Sequence, residues 1–411
     1  MGSSRPHDFR ITTYPCRVYS GKDALGNLPA EVKRHRAKRA FIICGRSVSR
    51  KTDLIERMRA LLGEAFAGLY DEMGKDTPMP DVLAARDGAR AAGADLLIAV
   101  GAGSVVQGTR IVAILLAEKG DPEELCTQYP EDGRAAISPK LMAPKLPIIN
   151  VLTAATSAQN RGGSPMKADG HDHRLEYFDP KTRPVALFWD SDALLTAPAS
   201  MMRSTAAAIY WRAVMNMGYA PGSAAPMADM NRRQVFELVT QALPALQDAA
   251  EGTVDVAPRI DLCIATFLNN REVDDGGGRV RHWPGRVVYA YAAALFNLHE
   301  EVGQGEANAV FNGSALRHFG SREPEAMCNM AAALGVWKPG DPVAEAPLRA
   351  ADEMERRFAA MGMPTRISQL NIPRSSLAVI LENSMKNFNS DPKREFLREQ
   401  PLMQKALEAA W

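Results

Sequence analysis

The 411-residue sequence lacks the features of a membrane, secreted or nucleic-acid-binding protein. No apolar run reaches about 18 residues, so we expect no membrane-spanning helix. The first residues, "MGSSRPHDFRITTYP", contain no apolar stretch of the kind found in secretory signals, which favours a cytoplasmic protein. The formal net charge of +1 gives no strong field to attract nucleic acid or a membrane surface. We therefore expect a small-molecule partner.

Cysteine is scarce, and the five cysteines form no CxxC pair. This spacing does not suit a structural zinc site. Scattered cysteines in odd number are typical of reduced thiols in a cytosolic protein. The five are Cys16, Cys44, Cys126, Cys263 and Cys328.

The chain is too long for one ordinary core, which predicts two domains. In the first half, short apolar runs alternate with helical patterns, as in an α/β domain with a parallel, Rossmann-like sheet. Residues 160–183 are expected to leave this sheet in an excursion such as a hairpin. We predict strands at 39–44, 94–100, 146–153 and 184–190.

After about residue 195 the pattern changes to long alanine- and leucine-rich segments such as "RVVYAYAAALFNLHEEV". Their apolar residues recur at spacings of three and four, which indicates helices. We therefore predict an α/β nucleotide-binding domain over residues 1–195 and an all-α domain over residues 196–411.

The clearest local motif is "ADLLIAVGAGSVVQGTR", in which a buried strand runs into a glycine turn and then a helix. Gly101 and Gly103 allow close approach of the backbone to a ligand, and the helix start near Ser104 offers free N–H groups. This arrangement suits a pyrophosphate, although an ordinary strand-to-helix turn has the same pattern.

A second strand, "VLTAATS", ends in small hydroxyl residues. Ligands of parallel sheets bind at the carboxyl ends of the strands, so Thr153, Thr156 and Ser157 are further candidates for cofactor binding.

Four motifs in the same order resemble the iron-containing (group III) alcohol dehydrogenases, which share the dehydroquinate synthase-like fold with glycerol dehydrogenases and maleylacetate reductases. The motifs are "GADLLIAVGAGSVVQGTR", "LTAATSAQN", "LEYFDPKTRPVALFWD" and "QGEANA". The resemblance covers nearly the whole chain. It implies a nucleotide-binding domain, a helical domain, an active-site cleft between them, a nicotinamide cofactor and a homodimer or larger oligomer.

In the family, one Asp and three His hold iron or zinc. Counting from Pro198 places the first two ligands, four apart on a helix, at Ala208 and Arg212. The histidine that opens the family's last motif is replaced by Gln304. Alanine has no lone pair, and arginine is permanently cationic.

A second family helix carries two histidines four apart, before the histidine of the last motif. Counting back from Gln304 gives Ala290 and Ala294, and a shift of one residue gives Tyr289 and Ala293. In either register we expect no metal. The sequence also contains a histidine pair in the loop "GHDHR", His171 and His173, for which a solvated loop is the favoured interpretation.

Without a metal, Arg212 is the candidate to stabilise a developing alkoxide or to clamp an anionic group, with Gln304 beside it. Arginine cannot supply the proton, for which Tyr289, Tyr291 or Tyr210 and His299 are candidates. The alternatives are that the tyrosines are core residues, that Arg212 forms a structural ion pair and that His299 lies at a helix end.

The cofactor loops also depart from the family, because Gln107 replaces an Asp and Thr156 and Ala158 replace glycines. Gly45 stands where many members have an acidic residue, and its loss slightly favours NADPH over NADH. "DTPMPDVLAA" resembles an element of the maleylacetate reductases, a branch that reduces without metal.

Three functions remain open. The first is a metal-independent NAD(P)H-dependent reductase that acts on a small anionic carbonyl or enone. The second is a non-redox enzyme on the same fold, such as a cyclase, isomerase or lyase. The third is a non-catalytic homologue.

Overall fold

The computed structural model describes residues 8–130, 136–171, 174–219, 225–247, 255–277, 282–387 and 389–411. These residues form two compact units. The α/β unit lies within residues 14–198 and 255–267, and the helical unit lies within residues 1–13, 199–254 and 268–411.

Within the described residues, the strands lie in the first half of the sequence. They are β1 (Arg17–Gly21), β2 (Ala40–Cys44), β3 (Phe66–Tyr70), β4 (Leu96–Gly101), β5 (Ile148–Leu152), β6 (Gly163–Met166), β7 (Leu175–Phe178) and β8 (Ala186–Asp190). Six of them form one parallel sheet in the order β1-β8-β5-β4-β2-β3. β6 and β7 pair antiparallel, which confirms the excursion after β5 as a hairpin.

The first helices cover the sheet. They are α1 (Leu28–Arg34), α2 (Arg46–Lys51), α3 (Leu54–Leu62), α4 (Met79–Ala91), α5 (Gly103–Ala117), α6 (Pro122–Leu125) and α7 (Ser191–Leu195). Side chains from β2, β4, β5 and β8 form one core with those of α1 and α3, including Leu28, Ile42, Met58, Ile98 and Phe188. The predicted α/β class is confirmed.

In the described residues after α7, helices are the regular secondary structure, as predicted. They are α8 (Ala199–Met217), α9 (Pro226–Ala242), α10 (Pro244–Gln247), α11 (Val256–Arg271), α12 (Trp283–Leu298), α13 (Gln304–Phe319), α14 (Pro324–Ala333), α15 (Ala346–Ala360), α16 (Ser376–Met385) and α17 (Gln400–Ala409). α13 is buried around most of its circumference and packs against α8, α12 and α15. Among the described helices, none combines the length and the apolar character that a membrane crossing requires.

The division into units differs from the predicted one at residue 195 in three ways. The α/β unit continues to Pro198, residues 255–267 join it, and the described residues up to Thr13 join the helical unit. Residues 255–267 belong with the sheet because the buried Arg259 donates to the carbonyl oxygens of Leu194 and Ala197, at 2.6 and 2.8 Å. Helical periodicity shows which face of a helix is buried but not which part of the protein that face packs against.

Candidate functional site

The first predicted cofactor loop joins β4 to α5. A Cβ on Gly101, whose φ is +156°, would lie 2.9 Å from Val105 Cγ2, so the turn requires glycine at this position. α5 begins at Gly103, and the first N–H groups of a helix have no partner within it. The loop therefore has the strand-turn-helix geometry that suits an anion.

Ser104 fixes the segment that follows β3. Its hydroxyl accepts a hydrogen bond from the backbone N–H of Asp76 at 3.0 Å, and its carbonyl oxygen accepts one from Thr77 Oγ1 at 3.0 Å. Asp76 and Thr77 have φ values of +64° and +60°, which is strained for non-glycine residues. Ser104 thus has a structural role that the sequence did not reveal.

The second predicted loop lies directly beside the first. The Thr153 N–H donates to the Gly101 carbonyl oxygen at 3.2 Å, and a Cβ on Gly103 would lie 3.2 Å from Thr156 Oγ1. Thr156 Oγ1 also accepts a hydrogen bond from the Ala158 N–H at 3.1 Å, while Ser157 is only partly buried. The predicted cofactor residues thus meet at the carboxyl ends of β4 and β5. Their role in binding stays a prediction.

Arg110 anchors the second loop and was not recognised as a site residue. Its guanidinium is fully buried and donates to Ser164 Oγ at 2.8 Å and to the carbonyl oxygens of Arg161 and Gly163 at 2.8 and 2.9 Å, as well as to that of Ala158. Burial, with a smaller contribution from the nearby Arg183, lowers the pKa of Arg110 to about 9. α5, which begins in the first loop, is therefore tied to the second loop.

In the helical unit, Arg212 lies on the partly exposed face of α8, with Ala208 one turn and Ser204 two turns before it. Arg212 Nη2 donates to the Asn269 carbonyl oxygen at 3.0 Å and lies 3.8 Å from Glu272 Oε2. The interpretation of Arg212 as a structural ion-pair partner therefore has direct support. The same contacts fix the orientation of its guanidinium.

The exposure of α12 distinguishes the two registers that the sequence left open. Tyr289 and Ala293 lie on its partly exposed face, whereas Ala290 and Ala294 are buried. Residues that face a ligand must be accessible, so the structure favours the register that contains Tyr289.

The other two candidate tyrosines belong to the core. Tyr291 is buried and donates its hydroxyl to the Met403 carbonyl oxygen at 2.6 Å, and burial raises its pKa well above the ordinary value. Tyr210 is also buried, and burial raises its pKa against the smaller opposing effect of Arg357. Tyr289 is therefore the accessible member of the three.

Gln304 is exposed at the first position of α13. The next residue, Gly305, packs so closely on α8 that a Cβ would lie 1.9 Å from the Ser204 carbonyl oxygen. Ser204 Oγ donates to Glu306 Oε2 at 2.5 Å across the same contact. The start of α13 is thus held beside α8, one turn before Ala208.

His299 lies apart from Tyr289. It follows the last residue of α12, where its Nε2 is 2.9 Å from Ser376 Oγ and its Nδ1 is 3.4 Å from Glu301 Oε1. It lies ten positions after Tyr289, about 15 Å along the helix axis. The position supports the helix-end alternative and argues against a shared role for the two side chains.

Comparison with known proteins identifies the relationship. Residues 15–191 match the family model described as iron-containing alcohol dehydrogenase. Over these residues the chain is similar to the iron-containing alcohol dehydrogenases. A stretch of 108 residues is 36% identical to maleylacetate reductase 2 of Cupriavidus pinatubonensis, and this match spans 26% of the chain and 29% of that protein. Lactaldehyde reductase of Escherichia coli is 21% identical over 378 residues, which are 90% of the chain and 91% of that protein.

Solved structures show the same fold. The alcohol dehydrogenase from Oenococcus oeni superposes with a TM-score of 0.80 at 17% identity, covering 99% of this chain and 100% of the other. A maleylacetate reductase from Rhizobium superposes with a TM-score of 0.73 at 18% identity, covering 99% of each chain. At this identity the likeness establishes the fold alone.

The family's metal does not fit the residues at the counted positions. Ala208 has no donor atom, Arg212 is cationic and Gln304 offers a neutral amide. Tyr289 would have to lose its phenol proton to bind a metal. Across the described ranges, no group of three or more His, Cys, Asp or Glu side chains is arranged to hold a metal. In the separate histidine loop, His171 lies 3.2 Å from Glu123, and His173 falls outside the described residues.

Proposed function

We propose that this protein is a metal-independent, NAD(P)H-dependent reductase that acts on a small anionic carbonyl or enone. The fold and the relatives support an oxidoreductase of the iron-containing alcohol dehydrogenase type. The finer assignment depends on the residues of this chain.

The proposal depends mainly on Arg212, which stands at the second of the metal-ligand positions counted from Pro198. Arg212 replaces a metal-binding histidine and is held by the Asn269 carbonyl oxygen and by Glu272. A guanidinium held in this way can accept an anionic substrate group or a developing alkoxide without rearrangement. Glu272 also pairs with Arg232, whose Nε lies 2.9 Å from Glu272 Oε1, so it is shared between two cations.

The remaining residues supply what a guanidinium cannot. NAD(P)H, when bound, supplies the hydride for reduction. The phenol of Tyr289 is the proton donor of this proposal, because it is the accessible tyrosine and arginine does not release a proton near neutral pH. The exposed amide of Gln304 donates a hydrogen bond to the substrate.

One observation favours a non-redox enzyme as the second candidate. Thr156 occupies a position where the family has a glycine. Its hydroxyl lies 3.2 Å from the place that a Cβ on Gly103 would take. This extra bulk narrows the approach of a pyrophosphate to the first loop. An isomerase, lyase or cyclase would still use Arg212 to bind its substrate and would not need the cofactor.

A cofactor titration separates the candidates. Purified protein is titrated with NADPH and with NADH by cofactor fluorescence, and the metal content of the same sample is measured. Micromolar binding without stoichiometric metal supports the reductase. No binding up to millimolar cofactor contradicts it, and stoichiometric metal contradicts metal independence.

A substrate screen then tests Arg212. Small α-keto acids and anionic enones are compared with neutral carbonyl compounds of similar size. Arg212→Ala is expected to lower kcat/KM for the anionic substrates by about a hundredfold, and Arg212→Lys to lower it less. Arg233→Ala is the matched control, because this exposed arginine on α9 pairs with Asp229 at 3.0 Å. Equal loss in both alanine variants would contradict the assigned role.

A further inference from the structure

The end of β2 lies beside the first cofactor loop. β2 is the direct neighbour of β4 in the sheet, and Gly45 follows its last residue. A Cβ on Gly45 would lie 4.0 Å from Val105 Cγ2, in the first turn of α5, and 3.1 Å from the Met73 carbonyl oxygen. A group bound at the start of α5 therefore has Gly45 and the residues after it within reach.

Two arginines follow Gly45 on one face of α2. Arg46 Nε binds Glu72 Oε2, and Arg50 Nη2 binds Glu72 Oε1, so a single carboxylate gathers both guanidiniums. The side chains of Arg46 and Arg50 are 66% and 61% exposed, and that of Glu72 is 33% exposed. Two positive charges and one negative charge leave this cluster with a net charge of +1.

We infer that Arg46 and Arg50 bind the 2′-phosphate of NADPH and make the protein selective for NADPH over NADH. The inference rests on the proposed cofactor use. In α/β dinucleotide sites, an acidic residue near this strand end binds the ribose 2′-hydroxyl of NAD, whereas a nearby arginine accommodates the 2′-phosphate of NADP. Here glycine occupies the acidic position and two arginines follow it.

Without the phosphate, the carboxylate of Glu72 accepts hydrogen bonds from both arginines. Its two oxygens engage one guanidinium each, and a phosphate dianion offers three oxygens and twice the charge for the same two groups. An exposed ion pair contributes little to stability, so replacing Glu72 by the phosphate costs little.

The test compares two adenosine fragments that differ in the 2′-phosphate. Adenosine 2′,5′-bisphosphate and adenosine 5′-monophosphate are titrated calorimetrically into the full chain, together with NADPH and NADH. Wild-type protein is expected to bind each 2′-phosphorylated ligand at least about tenfold more tightly than its partner. Arg46→Ala and Arg50→Ala are each expected to reduce that ratio, and the double variant to bring it close to one.

Three further variants sharpen the result. Arg46→Lys keeps the charge and is expected to restore part of the ratio, and Glu72→Gln is expected to raise it. Arg59→Ala is the matched control, because Arg59 lies over the ring of Phe66, the first residue of β3. Phe66 pairs with Ala40 at the start of β2, at the opposite end of the strands from Gly45. This variant loses the same charge and should leave the ratio unchanged.

The outcomes separate the two proposals. If NADPH and NADH bind equally and the two fragments bind equally, the inference fails while the cofactor proposal stands. A 2′-phosphate preference that survives the double variant also overturns it. If no nucleotide binds at any concentration tested, the inference and the cofactor proposal fail together.

Discussion

The α-carbon of Gly305 packs against the backbone of Ser204 so closely that a Cβ at position 305 would lie 1.9 Å from the Ser204 carbonyl oxygen. Both partners are the backbones of rigid helices, α13 and α8, so neither can give way as a flexible side chain would. This contact sets how near Gln304 lies to the face of α8 that carries Ala208.

Gly305→Ala is therefore expected to destabilise the protein by about 3 kcal/mol, because the two helices must separate to admit the methyl group. Gly285→Ala on α12 is the matched control, since its Cβ would meet its nearest neighbour, His282, at an ordinary 3.6 Å. Alanine is the better helix former, so this control should be neutral or slightly stabilising. Urea unfolding measures both, and equal stability of the two variants would contradict the packing argument.

Glu31 is expected to make the α/β unit sensitive to acid. Its carboxylate is fully buried and accepts hydrogen bonds from Tyr19 at 2.6 Å, Arg34 at 3.0 Å and Arg17 at 3.4 Å. Burial is the largest influence and opposes ionisation, but the hydrogen bonds from Tyr19 and Arg34 and the two positive charges prevail. They hold the pKa of Glu31 below the ordinary value of 4.5.

A carboxylate with a lowered pKa stabilises the folded state above its unfolded pKa, and that stabilisation is lost as the pH falls through the folded pKa. Glu31→Gln should thus cost about 2 kcal/mol at pH 7, because it weakens the hydrogen bonds that the carboxylate accepts. The difference from wild type should shrink as the pH falls below 4.5. Urea unfolding across this range checks it. A constant difference at every pH would show that charge at Glu31 is not the cause.

The central strands could be predicted from the sequence and the edge strands could not. β2, β4, β5 and β8 are buried along their whole length, so they read as continuous apolar runs. β1 and β3 are partly exposed edge strands with mixed composition, and the sequence pattern did not reveal them. Strand order likewise depends on pairing between distant segments, on which local periodicity carries no information.

The sequence could likewise predict only part of the candidate site. Glycine turns and hydroxyl residues indicated both cofactor loops, because these residue types permit close backbone approach. Arg110 was missed because only the folded chain reveals that its guanidinium lies among loop carbonyl groups. On α12, counting could not choose between Tyr289 and Ala290, since a shift of one residue turns the face by about 100°.

Substitution of Tyr289, with substitution of Tyr291 as the control, tests the proposed proton donor. Tyr289→Phe is expected to lower kcat for reduction by about a hundredfold, because it removes the proposed proton donor. Tyr291→Phe is expected to leave kcat unchanged and to cost about 1 kcal/mol, because it removes the buried hydrogen bond to Met403. Steady-state kinetics and urea unfolding measure the two effects. Unchanged kcat in Tyr289→Phe would assign the proton to another group.

Restoring ligands at the counted positions tests both the register and the reason that metal binding is not expected. One variant combines Ala208→Asp, Arg212→His, Gln304→His and Tyr289→His, which places the family's ligand types on accessible helix faces. A second variant carries Ala290→His instead of Tyr289→His and directs that ring into the core, since Ala290 is fully buried.

The first variant is expected to retain about one equivalent of zinc after dialysis, and the second and the wild type markedly less, as measured by elemental analysis. Thermal unfolding with and without zinc serves as a second readout, because a metal that binds only the folded state raises its stability. Equal zinc in both variants would contradict the register inferred from exposure. Stoichiometric zinc in the wild type would mean that ligands exist outside the counted positions, and Arg212 would then lose its proposed role as the substitute for a metal ion.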